Sequence, residues 1–292
     1  MSLHAQITRE IREGPTGSKI GALFDLDQTL LAGFSATSFV RERFVTGRMS
    51  PQELGTTFYG ALSFALGRTG FSALMSATTA AYRGLAESML EEVGEEVFVK
   101  HLAKQIYPEA RAIVQAHQEA GHTVAIISSA TRYQAEPLAR DMGIEHVLCT
   151  ELEVENGVFT GEVVRPTCYG EGKAIAGRVL AEREGLDLEE SYFYTDSHED
   201  LPLLEAVGRP RPVNPNRQLA QIAKERQWPV RRFSSRGRPG VGDLVRTGLT
   251  YASLIPAIWA GAAAGIVNGS YREGIHVSGA VWGDVATSLA GI

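Results

Sequence analysis

A chain of 292 residues with 44% hydrophobic and 21% charged side chains has the composition of a folded protein and excludes global disorder. A formal net charge of −6 provides no chain-wide attraction for nucleic acid, so none is expected as a partner. The two cysteines, Cys149 and Cys168, fit no zinc or redox spacing and are expected as reduced thiols in a cytoplasmic protein.

The N-terminal segment MSLHAQITREIREG lacks an apolar core, so it is no secretory signal and reads as a polar lead-in without fixed structure. The run Ile20–Phe24 is apolar without alternation, as a strand buried on both faces requires. It leads straight into Asp25-Leu26-Asp27-Gln28-Thr29. A strand ending this way sets two carboxylates at the carboxyl edge of a sheet, where open α/β folds do their chemistry. Two acids so close repel each other, so they are stable with a cation present or with one charged and one protonated. A strand end followed by an Asx-type turn accounts for the same residues.

Residues 35–105 hold no strand pattern and read as four helices, at about 36–46, 51–66, 70–82 and 86–104. Gly47, Gly67, Gly70 and Gly84 mark the breaks, and Pro51 suits a first helical turn. This block reads as an inserted helical subdomain. Strands at about 123–127, 146–150, 192–195 and 212–213 then alternate with helices at about 109–120, 133–142, 172–184, 201–206 and 218–226. A small hairpin over 153–163 turns at Asn156-Gly157. Such alternation implies an α/β fold: a Rossmann-like parallel sheet sandwiched by helices.

Three more signals fall at strand ends. Ser128 and Ser129 follow Ile126-Ile127, and small residues there let the backbone approach an anion. Lys173 lies in a first helical turn, where the helix dipole disfavours a cation unless it neutralises anions. Asp196 ends a strand and Asp200 follows one turn later, a set of oxygens suited to Mg²⁺ with a substrate phosphate. Taken singly, a structural serine, a solvated lysine and helix-capping acids explain these residues as well.

In this order, Asp25/Asp27/Thr29, Ser128, Lys173 and Asp196/Asp200 resemble the four motifs of the haloacid dehalogenase superfamily of phosphatases. The likeness spans about residues 18 to 230, and the helical insertion after the first motif is similar to the first subclass, whose cap lies there. Tyr-Thr-Asp-Ser-x-x-Asp-Leu-Pro-Leu-Leu-Glu and Val213-Asn214-Pro215 are similar to the phosphoserine-phosphatase-like branch. The resemblance implies a core of residues 18–34 and 106–233 and a helical cap of 35–105. It implies Asp25 as nucleophile and Asp27 as general acid and base. Mg²⁺ would be held by Asp25, the Asp27 carbonyl and Asp196, with Asp200 behind them or acting through water. Lys173, Ser128 and Ser129 would hold the phosphate of a phosphate-ester substrate, and Thr29 would help orient the site. The chain departs from that branch in two places. Leu30-Leu31-Ala32-Gly33-Phe34-Ser35 has no carboxylate for a substrate amine, and Glu199 stands where a small or amide residue is usual.

Residues 229–248 carry Arg231, Arg232, Arg236, Arg238 and Arg246 against one acid, Asp243, and 248–269 runs uncharged. An amphipathic stretch follows, and the chain ends inside apolar sequence. Residues 234–292 are therefore expected as a basic linker and apolar helices that meet a membrane surface at its cytoplasmic face. This region is similar to the linker of bacterial fusions between such a phosphatase and a 1-acylglycerol-3-phosphate acyltransferase, which makes a fused or partner acyltransferase an expectation. A non-catalytic anchoring module and a phosphotransferase stay open as alternatives. Deleting residues 240–292 is expected to move the protein from the membrane to the soluble fraction. Equal partitioning of the full and shortened chains between the two fractions would refute the assignment.

Overall fold

The computed structural model of the chain describes residues 3–233. The expectation for 234–292 lies outside the described residues. Among those described, no helix is long and apolar enough to cross a membrane.

The chain opens with α1 (Leu3–Arg12), where a lead-in without fixed structure is expected. Ile11 is 1% exposed, and two long-range ion pairs, Arg12 with Glu119 at 3.0 Å and Glu10 with Arg231 at 2.9 Å, help seat it. β1 (Ile20–Phe24) follows and is buried throughout. After the cap come α6 (Pro108–Glu119), β2 (Thr123–Thr131), α7 (Arg132–Met142), β3 (His146–Thr150) and the hairpin β4 (Leu152–Glu155)/β5 (Val158–Val163). Then α8 (Glu171–Glu184), β6 (Asp187–Thr195), α9 (Leu201–Ala206), β7 (Arg209–Pro212) and α10 (Arg217–Glu225) complete the described chain.

The five-stranded sheet has the order β3-β2-β1-β6-β7, with every pairing parallel. Side chains alternate between its two faces. Ala22, Phe24, Val124, Ile126, Tyr192 and Tyr194 join one apolar cluster with Ile113 and Ala116 of α6. Leu23, Ala125, Ile127 and Phe193 join the other, with Ala174 and Leu180 of α8. Helices thus cover both faces, as parallel strands need, and β1 sits at the centre of the sheet with its carboxyl end beside those of β2 and β6.

Two strands run longer than their apolar stretches. β6 begins at Asp187 because backbone pairing with Ile20 extends it through exposed Glu189 and Glu190, past a register shift between Ile20 and Ala22. β2 continues through Ser128 to Thr131, which pairs with Thr150. β7 lies over Arg209–Pro212, a little upstream of the expected stub.

Residues 35–105 hold four helices near the expected positions: α2 (Ser35–Val45), α3 (Pro51–Ala65), α4 (Phe71–Ala80) and α5 (Glu87–Val97). The last departs from a single long helix. After Val97 the chain widens into a π turn (Phe98–Leu102) and tightens over Ala103–Gln105, which buries Phe98 and Leu102. Val40–Leu62 falls in a compact unit separate from the surrounding residues. Within that stretch Arg43 pairs with Glu53 and donates to the Arg48 carbonyl at 2.9 Å, while the Ser50 hydroxyl accepts from the Glu53 N–H at 3.1 Å. That serine ahead of Pro51 is the N-cap that starts α3.

α5 lies against α7 at Gly94, where an added Cβ would sit 2.2 Å from the Tyr133 carbonyl oxygen. Arg132 with Glu91 at 3.2 Å, and the Tyr133 hydroxyl with Glu87 at 2.9 Å, flank this contact. Because a backbone carbonyl cannot move aside alone, Gly94→Ala must part the two helices. The variant is expected to cost about 2 kcal/mol or more, read as a lowered urea midpoint. An unchanged midpoint would show that the seam is not close-packed.

Candidate active site

β1 delivers Asp25 to the sheet edge, and the Asp25 N–H donates to the Tyr194 carbonyl of β6 at 2.9 Å. The chain then reverses. Gln28 adopts φ 60, and the Leu30 and Leu31 N–H groups return to the Leu26 carbonyl at 2.9 and 3.0 Å. This tight turn sets Asp27 beside the start of α2, where the Ser35 N–H donates to Asp27 Oδ1 at 2.8 Å and the Ser35 hydroxyl to Oδ2 at 3.2 Å. Thr29 is buried, and its hydroxyl has no hydrogen-bond partner among the described residues.

Lys173 arrives from α8. The loop before it is wound so tightly that a Cβ on Gly172 would meet the Thr167 carbonyl oxygen at 1.9 Å, so only glycine fits there. The buried ammonium donates to Asp25 Oδ1 at 2.7 Å and to Asp200 Oδ2 at 2.8 Å. Asp200 also accepts from the Thr195 hydroxyl at 2.6 Å. Ser128 is buried at the end of β2, where its hydroxyl accepts from the Ala130 N–H at 3.3 Å, and Ser129 beside it is partly buried. Asp196 follows β6, and its backbone carbonyl accepts from the Asn216 N–H at 2.8 Å. Asp25 and Asp27 thus follow β1, Ser128 and Ser129 lie in β2 and Asp196 follows β6, toward the carboxyl ends of three neighbouring parallel strands, and Lys173 of α8 joins Asp25 to Asp200.

The electrostatics separate these acids. Burial pulls the Lys173 ammonium down, but Asp200 and Asp25 more than reverse this and hold it charged above its ordinary value. Burial pushes Asp27 up to about 7; the Ser35 bonds oppose that rise and the Asp25 charge adds to it. Two carboxylates one residue apart thus meet different surroundings, with Asp25 gripped by a cation and Asp27 poised to hold or release a proton near neutrality. Asp196 is pushed up to about 8, by burial first and then by Asp25 and Asp200, and it forms no ion pair among the described residues. Burial also raises the neighbouring Cys168 thiol to about 12, which keeps it protonated and inert.

Among the described residues no three His, Cys, Asp or Glu side chains converge as a metal-binding group. The arrangement nonetheless fits a hard divalent cation, which needs only one or two carboxylates when substrate phosphate and water complete its shell. Asp25 and the unpaired Asp196 supply such carboxylates. The carboxylates of Asp27 and Asp200 already accept from Ser35 and from Lys173 with Thr195.

Sequence reading missed four supporting residues. They are Ser35, Thr195, Asn214, whose amide donates to the Gln28 carbonyl at 3.3 Å, and Gln134, whose amide donates to the Ser35 hydroxyl at 3.3 Å. Thr195 and Asn214 carried a signal, as parts of Tyr194-Thr195-Asp196-Ser197 and Val213-Asn214-Pro215. Glu199, the other departure, accepts from the Ser197 hydroxyl and lies 3.0 Å from His198 Nδ1.

The family described as haloacid dehalogenase-like hydrolase matches residues 22–205. A phosphoserine phosphatase of Mycobacterium tuberculosis is 33% identical over 226 residues, covering 76% of this chain and 73% of its own. A histidinol-phosphatase of Neisseria meningitidis is 32% identical over 220 residues, covering 73% and 98% respectively. A crystal structure of a Bordetella pertussis protein of unknown function is 28% identical with a TM-score of 0.68, covering 74% of this chain and 98% of that one.

The raised pKa of Asp196 yields a sign that can be checked. Its native value near 8 exceeds the unfolded value of about 3.9, so the native state takes up the proton first and gains stability as pH falls through that window. In a chelator at pH 8, Asp196→Asn is therefore expected to be more stable than the wild type, by on the order of 1 kcal/mol. That advantage shrinks toward pH 5, and excess Mg²⁺ stabilises the wild type alone. Melting temperatures across pH with chelator and with Mg²⁺ check this; a variant less stable than wild type in chelator at pH 8 overturns it.

Proposed function

The chain belongs to the haloacid dehalogenase-like hydrolase family and is a phosphatase, and we propose that it cleaves phosphate monoesters through a phosphoaspartate on Asp25. The observation that carries this reading is the unequal treatment of the two carboxylates. Asp25 is paired to Lys173 at 2.7 Å, while Asp27, held by Ser35, lies near 7.

An Asp25 carboxylate oxygen attacks phosphorus in line with the ester oxygen; the P–O bond to the leaving alcohol breaks as the Asp27 carboxyl delivers its proton to that oxygen. Asp27, now a carboxylate, takes a proton from water as the water oxygen attacks phosphorus. The bond to Asp25 breaks, inorganic phosphate leaves, and both side chains return to their starting states. Lys173 and Ser128 offset charge on the phosphoryl oxygens, which is most of what phosphoryl transfer asks of a protein. Magnesium, held by the Asp25 and Asp196 carboxylates with the Asp27 carbonyl, would neutralise the phosphate against the carboxylates.

The substrate of this reading is a small or lipid-related phosphate ester. Residues 30–35 hold no carboxylate for a substrate amine, and Phe34 there is 58% exposed. The uncharged run 248–269 behind its arginines supports work at the inner face of a membrane.

Asp25→Asn is expected to abolish turnover of 4-nitrophenyl phosphate with Mg²⁺, a loss of at least about 10³-fold, because the amide is no nucleophile. The same variant should still fold, since Lys173 keeps Asp200. Undiminished turnover in the folded variant sinks the proposal.

A further inference from the structure

Gln134 is the third residue of α7 and is buried. Its side-chain oxygen accepts from the Thr131 N–H at 2.8 Å and from the Thr131 hydroxyl at 2.9 Å. This pair of donors fixes which way the amide faces. Turned over, its NH₂ group would meet the backbone N–H, and two donors would oppose each other.

The Gln134 NH₂ is therefore left to reach the Ser35 hydroxyl at 3.3 Å. A hydroxyl has one proton. Ser35 oxygen accepts from Gln134, so the hydroxyl proton is free to go to Asp27 Oδ2, 3.2 Å away, while the Ser35 N–H holds Oδ1 at 2.8 Å. The chain of bonds Thr131–Gln134–Ser35–Asp27 thus runs one way only, from the segment after Ser128 to the carboxyl that handles the proton. Both oxygens of Asp27 are held by a single residue, and that residue is oriented by Gln134.

We propose that Gln134 is a positioning residue for catalysis: acting through the Ser35 hydroxyl, it fixes the rotamer of the Asp27 carboxyl that protonates the leaving group. The inference rests on the reading of Asp27 as proton carrier and adds to it a residue that touches neither substrate nor phosphoryl group. Its effect must then depend on how much the leaving group needs a proton. An alkoxide needs one to depart, whereas 4-nitrophenolate departs without it.

The experiment compares kcat/KM for glycerol phosphate and 4-nitrophenyl phosphate, with Mg²⁺, in wild type, Gln134→Met, Ser35→Ala and the double variant. Each single change is expected to lower kcat/KM for the alkyl ester about tenfold or more, a part of what general acid catalysis contributes, and to leave the aryl ester within about threefold. The double variant should be no worse than the poorer single one, because both break one chain of bonds. Gln134→Met also removes the cap of α7, so its melting temperature will fall. Gly143→Ala strains the left-handed end of the same helix, outside this chain of bonds, and is expected to lower the melting temperature with both kcat/KM values retained. Equal losses for both esters, losses that multiply in the double variant, or no loss at all would overturn the inference while the phosphatase reading stands. A wild type that turns over neither ester, or an active Asp25→Asn, would remove that reading and this inference with it.

Discussion

The buried ammonium of Lys173 holds the site together. It binds Asp25 on the central strand and Asp200 beyond β6, so one side chain joins three segments far apart in sequence. Each of these charges would be costly to bury alone, and each is tolerated because the others are present. The trio still carries one excess negative charge, and Asp196 beside it has no partner among the described side chains. A doubly negative phosphate could not approach such a surface without further positive charge, which is the physical case for a divalent cation there.

Asp27 belongs to the same turn yet escapes that grip. Its oxygens are met by uncharged donors of Ser35, the pull of the Lys173 charge is the weakest of the influences on it, and burial leaves its proton mobile near neutrality. The division of labour between two acids of one motif is thus produced by different parts of the molecule. Lys173 comes from α8 in the core, and Ser35 from the first helix of the cap. Under the proposed mechanism, the helix that Ser35 begins therefore contributes to the proton transfer through its bonds to Asp27.

What the sequence disclosed follows the range of the interactions involved. β1 was legible because five consecutive buried apolar residues leave no other reading, and the cap helices were legible from glycines that interrupt them. β6 was read short because Asp187, Glu189 and Glu190 look like a loop, and only pairing with Ile20 makes them strand. α1 was missed because a single residue, Ile11, supplies the described apolar anchor of a polar segment. At the site, the charged residues stood out by their order along the chain. Ser35 and Gln134 did not, since a hydroxyl or an amide becomes functional only through a partner; that of Gln134 lies 99 residues away. The helical lead-in and Gln134 share one cause of invisibility, namely that long-range contacts decide them and local pattern does not.

The turn after β1 also shows how such a site can keep its chemistry while its leaving group changes. Relatives 33% and 32% identical to this chain bear the names of different substrates, phosphoserine and histidinol phosphate, so overall similarity does not fix the alcohol. Backbone bonds close the loop at several points: Gln28 N–H to the Gly33 carbonyl at 3.3 Å, Ala32 N–H to the Gln105 carbonyl at 2.8 Å, and Tyr107 N–H to the Leu30 carbonyl at 2.9 Å. These bonds do not depend on the side chain at position 34, which is exposed, whereas Ser35 next to it is buried and holds Asp27. One residue in this loop is bound by the mechanism and its neighbour is free of it. The side chain at position 34 can therefore change while the bonds that hold Asp25, Asp27 and Lys173 stay as they are.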